Sequence, residues 1–203
     1  MRSILFLCTS AFLVIIFIGC SIDVFPVHHS KVNAAKRAEQ PIARGPNAPG
    51  AFKKKLTFAA AQGYLFDPSK IELQQGILKL KSQTGSRGHM STLQSSVGVP
   101  YLALDGFSET PSKLHQGQIK YQISHDGSKW FYYTDKQWTA ASPVPSETNS
   151  AKELNEAIQV FDKQVGPGLL YVKIFLISPQ GKEKAELQEI EIQGIAPRTD
   201  NWD

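Results

Sequence analysis

The chain has 203 residues, of which 41% are apolar and 20% charged, with a formal net charge of +4. That composition supports one ordinary domain with a packed core and excludes a chain disordered throughout. The charge is uneven: residues 31–55 hold seven Lys and Arg against one acid, whereas residues 56–203 hold fourteen basic residues against sixteen acidic ones. The high isoelectric point therefore belongs to a segment near the start, and the rest of the chain lacks the basic excess expected of a nucleic-acid-binding domain.

Residues 1–20 read as a signal segment. Met1-Arg2-Ser3 is a short positive start, Ile4 to Ile18 is almost wholly apolar, and Gly19-Cys20-Ser21 supplies small residues at a cleavage point. The apolar run is shorter than the ~20 residues of a comfortable membrane-spanning helix. Phe17-Ile18-Gly19-Cys20 resembles the bacterial lipobox, with Phe17 where that family usually has Leu. The resemblance implies that the Cys20 thiol carries a diacylglycerol and becomes the new N-terminus. It also implies palmitate-type acylation and a lipid-anchored place in the cell envelope, at the outer membrane in a Gram-negative cell because Ser21 is not acidic. Ordinary cleavage and retention as an uncleaved anchor are the alternatives. Cys8 lies inside the apolar run, so a cleaved chain keeps no thiol but Cys20 and can form neither a disulfide nor a thiolate metal site.

Residues 21–50 show no sustained apolar periodicity, and Pro26, Pro41, Pro46 and Pro49 interrupt any helix. They read as a flexible basic linker whose Lys and Arg either rest on anionic headgroups, at ~1 kcal/mol each, or are simply solvated. His28-His29 has no further ligand nearby and reads as incidental.

Residues 51–198 read as the folded domain. Ile71-Glu72-Leu73 and Ile77 to Lys81 alternate around Gln74-Gln75-Gly76, which predicts a β-hairpin. The polar stretch Thr84 to Ser96, with His89, Ser86 and Ser91, reads as a long mobile loop. Val97 to Ala103 is apolar but contains Pro100, which predicts an edge strand or a bulge. Gln118 to Ser124 alternates, Asp126-Gly127 supplies a turn, and Lys129 to Tyr133 returns; Gln137-Trp138-Thr139 follows as a second tight return. Ser150-Ala151-Lys152-Glu153 is a capping box, and Leu154, Ile158, Phe161 and Val165 form one helical stripe that Gly166-Pro167-Gly168 ends. Two strands, Leu170 to Ile177 and Ala185 to Ile192, close the domain. Seven or more strands with one amphipathic helix, and no βα alternation, predict a mainly β fold: an antiparallel β-sandwich or jelly roll.

Ser124-His125-Asp126-Gly127-Ser128-Lys129-Trp130 resembles the Asp-box of sialidase-type propellers, one residue shorter, occurring once, and implying a structural turn. Tyr64-Leu65-Phe66-Asp67, Ile119 to Trp130 with Trp138, the helix from Ala151 and the last two strands together resemble exported modules of the galactose-binding jelly-roll or laminin-G sandwich type. That resemblance implies recognition of glycan, cell wall or protein. Trp130, Tyr132, Tyr133 and Trp138 are the candidate ligand-binding residues, because sugar C–H faces stack on aromatic planes; core packing is the competing role for strand aromatics.

No catalytic set, metal site or cofactor is read from the sequence. Glu183, Glu186, Glu189 and Glu191 are better explained by a solvated strand face than by paired glycosidase carboxylates, and His89, His115 and His125 lie apart in polar segments without metal-ligand spacing. The function expected is a membrane-anchored binding module recognising glycan or an envelope partner, and not an enzyme. The alternatives are an envelope assembly protein, which would present a contiguous apolar patch, and a glycan hydrolase.

Overall fold

A computed structural model describes residues 49–81 and 89–197. Residues 1–48, on which the expected signal segment, Cys20 and nearly all of the expected linker fall, lie outside the described residues, as do residues 82–88 and 198–203. The described chain forms twelve strands: β1 (Gly50–Thr57), β2 (Tyr64–Phe66), β3 (Ile71–Gln74), β4 (Ile77–Leu80), β5 (His89–Ser95), β6 (Val99–Tyr101), β7 (Ala103–Pro111), β8 (Gln118–Ser124), β9 (Phe131–Thr134), β10 (Gln137–Ala140), β11 (Gly168–Ser178) and β12 (Glu186–Ala196). A helical segment precedes β11: α1 (Ala151–Ala157), a 3-10 turn (Ile158–Val160) and α2 (Phe161–Gln164).

The strands form an antiparallel β-sandwich. In the first sheet β12 is central. β1 runs along one side of it, from Gly50↔Ala196 to Thr57↔Glu189, and β4, carrying β3, continues where β1 ends; β7 lines the other side. In the second sheet β11 is central, with β8 on one side and β5 and β6 in succession on the other. β2 flanks β5, and β9 with β10 extends beyond β8.

Period-two alternation builds the core between the sheets. Ile190 and Ile192 of β12 face inward, as do Leu170, Val172, Ile174 and Leu176 of β11 and Ile119, Tyr121 and Ile123 of β8. The Tyr121 hydroxyl donates to Glu109 of β7, so a hydrogen bond joins the two sheets within the core. The expected capping box is present: Ser150 Oγ accepts from Glu153 N, and Glu153 accepts from Ser150 N. Leu154, Ile158 and Phe161 are fully buried, and Gly166 follows the segment at φ +113°, a conformation that favours glycine.

Two expectations change. The stretch read as a mobile loop contains β5, which pairs with β11 over six residues and with β2 on its other side. Its inward positions are His89, Ser91, Leu93 and Ser95. With Leu93 the only aliphatic residue among them, polar side chains at core positions conceal the alternation. Ser95 Oγ accepts from Val172 N, which shows why a serine suits that place. The second change is β7, which carries no strand signal beyond Ala103. Leu104 and Phe107 are both buried although three residues apart, because the pairing with β12 shifts register between Gln193 and Gly194 and leaves Asp105 unpaired. A bulge of this kind erases period two. Pro100 lies in β6, opposite Leu169, in a strand of three residues.

Candidate functional site

The aromatic hairpin is built by its turns. Gly127 adopts φ +77°, its amide donates to Ser124 Oγ at 2.9 Å, and Asp126 Oδ1 accepts from Ser128 N at 2.8 Å and Lys129 N at 2.9 Å. The Lys129 and Ser128 amides hold the Asp126 carboxyl far below the usual carboxylate range. The geometry is that of a structural turn. The β9–β10 return uses Asp135 and Lys136, both at positive φ.

The four candidate aromatics lie on two sides of one sheet. Tyr133 and Trp138 are cross-strand partners on the core side, where Trp138 meets the edge of Phe161 at 4.8 Å and Tyr133 at 5.4 Å. Phe131, on the same side, also packs on Phe161. Trp130 and Tyr132 face away from the core. Trp130 is only 8% exposed, and the Lys173 ammonium sits 4.1 Å above its ring. Burial lowers the Lys173 pKa. The segment after β10 folds over this outward face: Gln122 Nε2 donates to Ser142 O at 2.6 Å and Glu147 O at 2.8 Å, and Phe175 beneath is fully buried. The four rings therefore do not converge on one concave surface.

The carboxylates of the last strand and the turn before it are individually engaged. Glu191 and Glu189 pair with Lys53 and Lys55 at 2.9 and 2.8 Å. Glu186 accepts from the Ser112 hydroxyl, and its amide donates to His115 Nδ1. Glu183 caps the β11–β12 turn, accepting from Ser178 Oγ at 2.6 Å and Gln180 N at 3.0 Å; the Ser178 hydroxyl is the first cause of a carboxyl pKa lowered to about 2. Among the described residues no group of three or more His, Cys, Asp or Glu could hold a metal ion.

Two concave features stand out among the described residues. A shallow groove of about 340 Å³ lies on the outward side of the second sheet, with Leu65 and Pro143 as walls and Met90, Thr92 and Gln94 beneath. The larger is an open cleft of about 630 Å³ between β1 and the β5–β6 connection. Phe52, Leu56, Tyr64, Val97, Val99 and Pro100 line it. It lies where, among the described strands, β1 is paired to β12 alone and β6, of three residues, is too short to cover the space between the sheets. The size lies in the range of small-molecule sites, about 300–1,000 Å³. Sequence reasoning missed it. The available signal was Phe52-Lys53-Lys54-Lys55-Leu56, in which alternation places Lys54 on the same face as Phe52 and Leu56. Compared with known proteins, the chain matches no family model, and no curated protein matches its sequence.

Proposed function

We propose that this chain is a membrane-anchored, exported binding module of the cell envelope, held through Cys20 and presenting a β-sandwich that receives its ligand in the cleft beside β1. The cleft is the observation that carries the reading: a mostly apolar concavity of about 630 Å³ is a feature of ligand-binding domains. The anchor rests on the apolar run and the lipobox-like Phe17-Ile18-Gly19-Cys20. A glycan ligand would have Tyr132 alone to draw on among the outward candidates, because Trp130 is buried beneath Lys173. An assembly role is the second reading, favoured by the exposed Leu102, Leu169 and Ile195 near β6.

The anchor is tested by expressing the full chain in a bacterial host with radiolabelled palmitate. Label on a membrane-fractionated chain, lost in Cys20→Ala, is expected. An unlabelled chain in the soluble fraction overturns the assignment.

A further inference from the structure

We infer that the cleft beside β1 binds a single-chain amphiphile with an anionic head, the tail against the apolar walls and the head on Lys54; this deepens the binding-module reading and rests on it. The register of β1 supplies the reason. Lys53 and Lys55 turn outward to Glu191 and Glu189. Lys54, opposite Ile192, points to the inner side with Phe52 and Leu56, where the cleft lies. Among the described residues it makes no ion pair, so its charge is available to a ligand. A lysine in this setting lays its methylene stem along apolar surface and keeps its ammonium at the water boundary. That is the polarity an anionic amphiphile needs.

The opposite wall fits a tail. Val97 is 68% exposed where the cleft meets solvent, and Val99 and Pro100 continue from it. Tyr64 adds an aromatic wall, and its hydroxyl is engaged with Thr57 O at 3.0 Å. Thr57, Gln62 and Ser95 also reach the cleft, but Phe52, Leu56, Val97, Val99 and Pro100 make the larger part of its side-chain surface apolar, and a hydrocarbon chain needs no hydrogen-bonding partner there. Charge at one side and apolar walls within specify the class of ligand without specifying its length.

An inward-pointing charge on an edge strand has another use, which is to prevent edge-to-edge pairing. The experiment separates the two. The full chain in phosphatidylcholine nanodiscs is irradiated with a diazirine-bearing dodecanoate, and the crosslinked peptides are identified by mass spectrometry. Crosslinks on residues 52–64 and 97–100 are expected, competed by free laurate. Labelling should fall about tenfold in Lys54→Glu, as the head meets repulsion in place of attraction, and persist in Lys54→Arg. A diazirine dodecanol should label the native chain and Lys54→Glu equally. Unchanged dodecanoate labelling in Lys54→Glu overturns the inference, and if that variant also self-associates, edge protection is the role of Lys54. Crosslinks elsewhere, or none, overturn it as well. Retention of an unlabelled chain on an envelope glycan overturns the ligand class while leaving the binding-module reading standing, and the Cys20 palmitate assay reads the anchor separately.

Discussion

Asp126 and Glu183 are turn-capping carboxylates at the two hairpins that bracket the helical segment and β11. Each accepts backbone amides and a serine hydroxyl, which stabilises its ionised form. Both therefore titrate lower in the folded chain than in the unfolded one, Glu183 at about 2. Their contribution is complete above the unfolded values, near 3.8 and 4.5, and is lost as the pH falls through the folded values. Thermal melts between pH 6 and 2 should show stability falling with acid, and Asp126→Asn with Glu183→Gln should flatten that dependence. An equally steep dependence in the double variant would place the acid sensitivity elsewhere. Glu109 runs the other way: burial raises its pKa, although the Tyr121 hydroxyl opposes the shift. The acid loss measured is thus net of an opposing group.

At the scale of elements, β8 and β9 pair only at Ile123↔Phe131 and then diverge. Asn149 fills the gap. Its backbone exchanges two hydrogen bonds with Tyr121, at 2.7 and 3.0 Å, while its side chain accepts from Tyr133 N at 2.6 Å and donates to Tyr133 O at 2.8 Å. One residue thus replaces a missing length of ladder and sets the start of α1 two residues later. It is 5% exposed, so truncation leaves two backbone groups without partners. Asn149→Ala should cost about 3 kcal/mol, or about 6–12 °C in melting temperature for a chain of this size. Asn149→Asp, which keeps the acceptor but sets a buried carboxylate oxygen against the Tyr133 carbonyl, should cost at least as much. A melting temperature unchanged in Asn149→Ala would show that β8 and β9 are held by the core alone. The helical segment packs between these strands and β7, with Phe161 touching Trp138, Phe131 and Tyr101. Helix and hairpin aromatics are therefore one packing unit, which explains why Trp138 and Tyr133 are turned inward.

For the whole molecule, the core alone must supply stability. The described residues contain no cysteine, and the chain holds only Cys8 and Cys20. A domain that relied on a disulfide would lose about 2–5 kcal/mol on reduction. The sandwich should melt at the same temperature with and without reductant; a downward shift on reduction would reveal a stabilising disulfide through Cys8 or Cys20.

Some of this was legible in the residues. Alternation around Gln75-Gly76, Asp126-Gly127 and Asp135-Lys136, the capping box at Ser150 and the stripe from Leu154 to Phe161 are local signals, because turn chemistry and periodicity act within a few residues. They fix a mainly β chain with one helix, and the charge count locates the basic excess near the start. Other features depend on partners distant in sequence. β5 is a strand because β11 and β2 flank it, with Ser95 bonded to Val172 N, and β7 because a bulge opposite Gly194 accommodates its irregular spacing. Which side of the sheet Trp130 and Trp138 would face depended on where the helix docked, and the cleft depended on where two sheets failed to close. Periodicity reports that a face is buried; it carries no information about what buries it or where the covering ends.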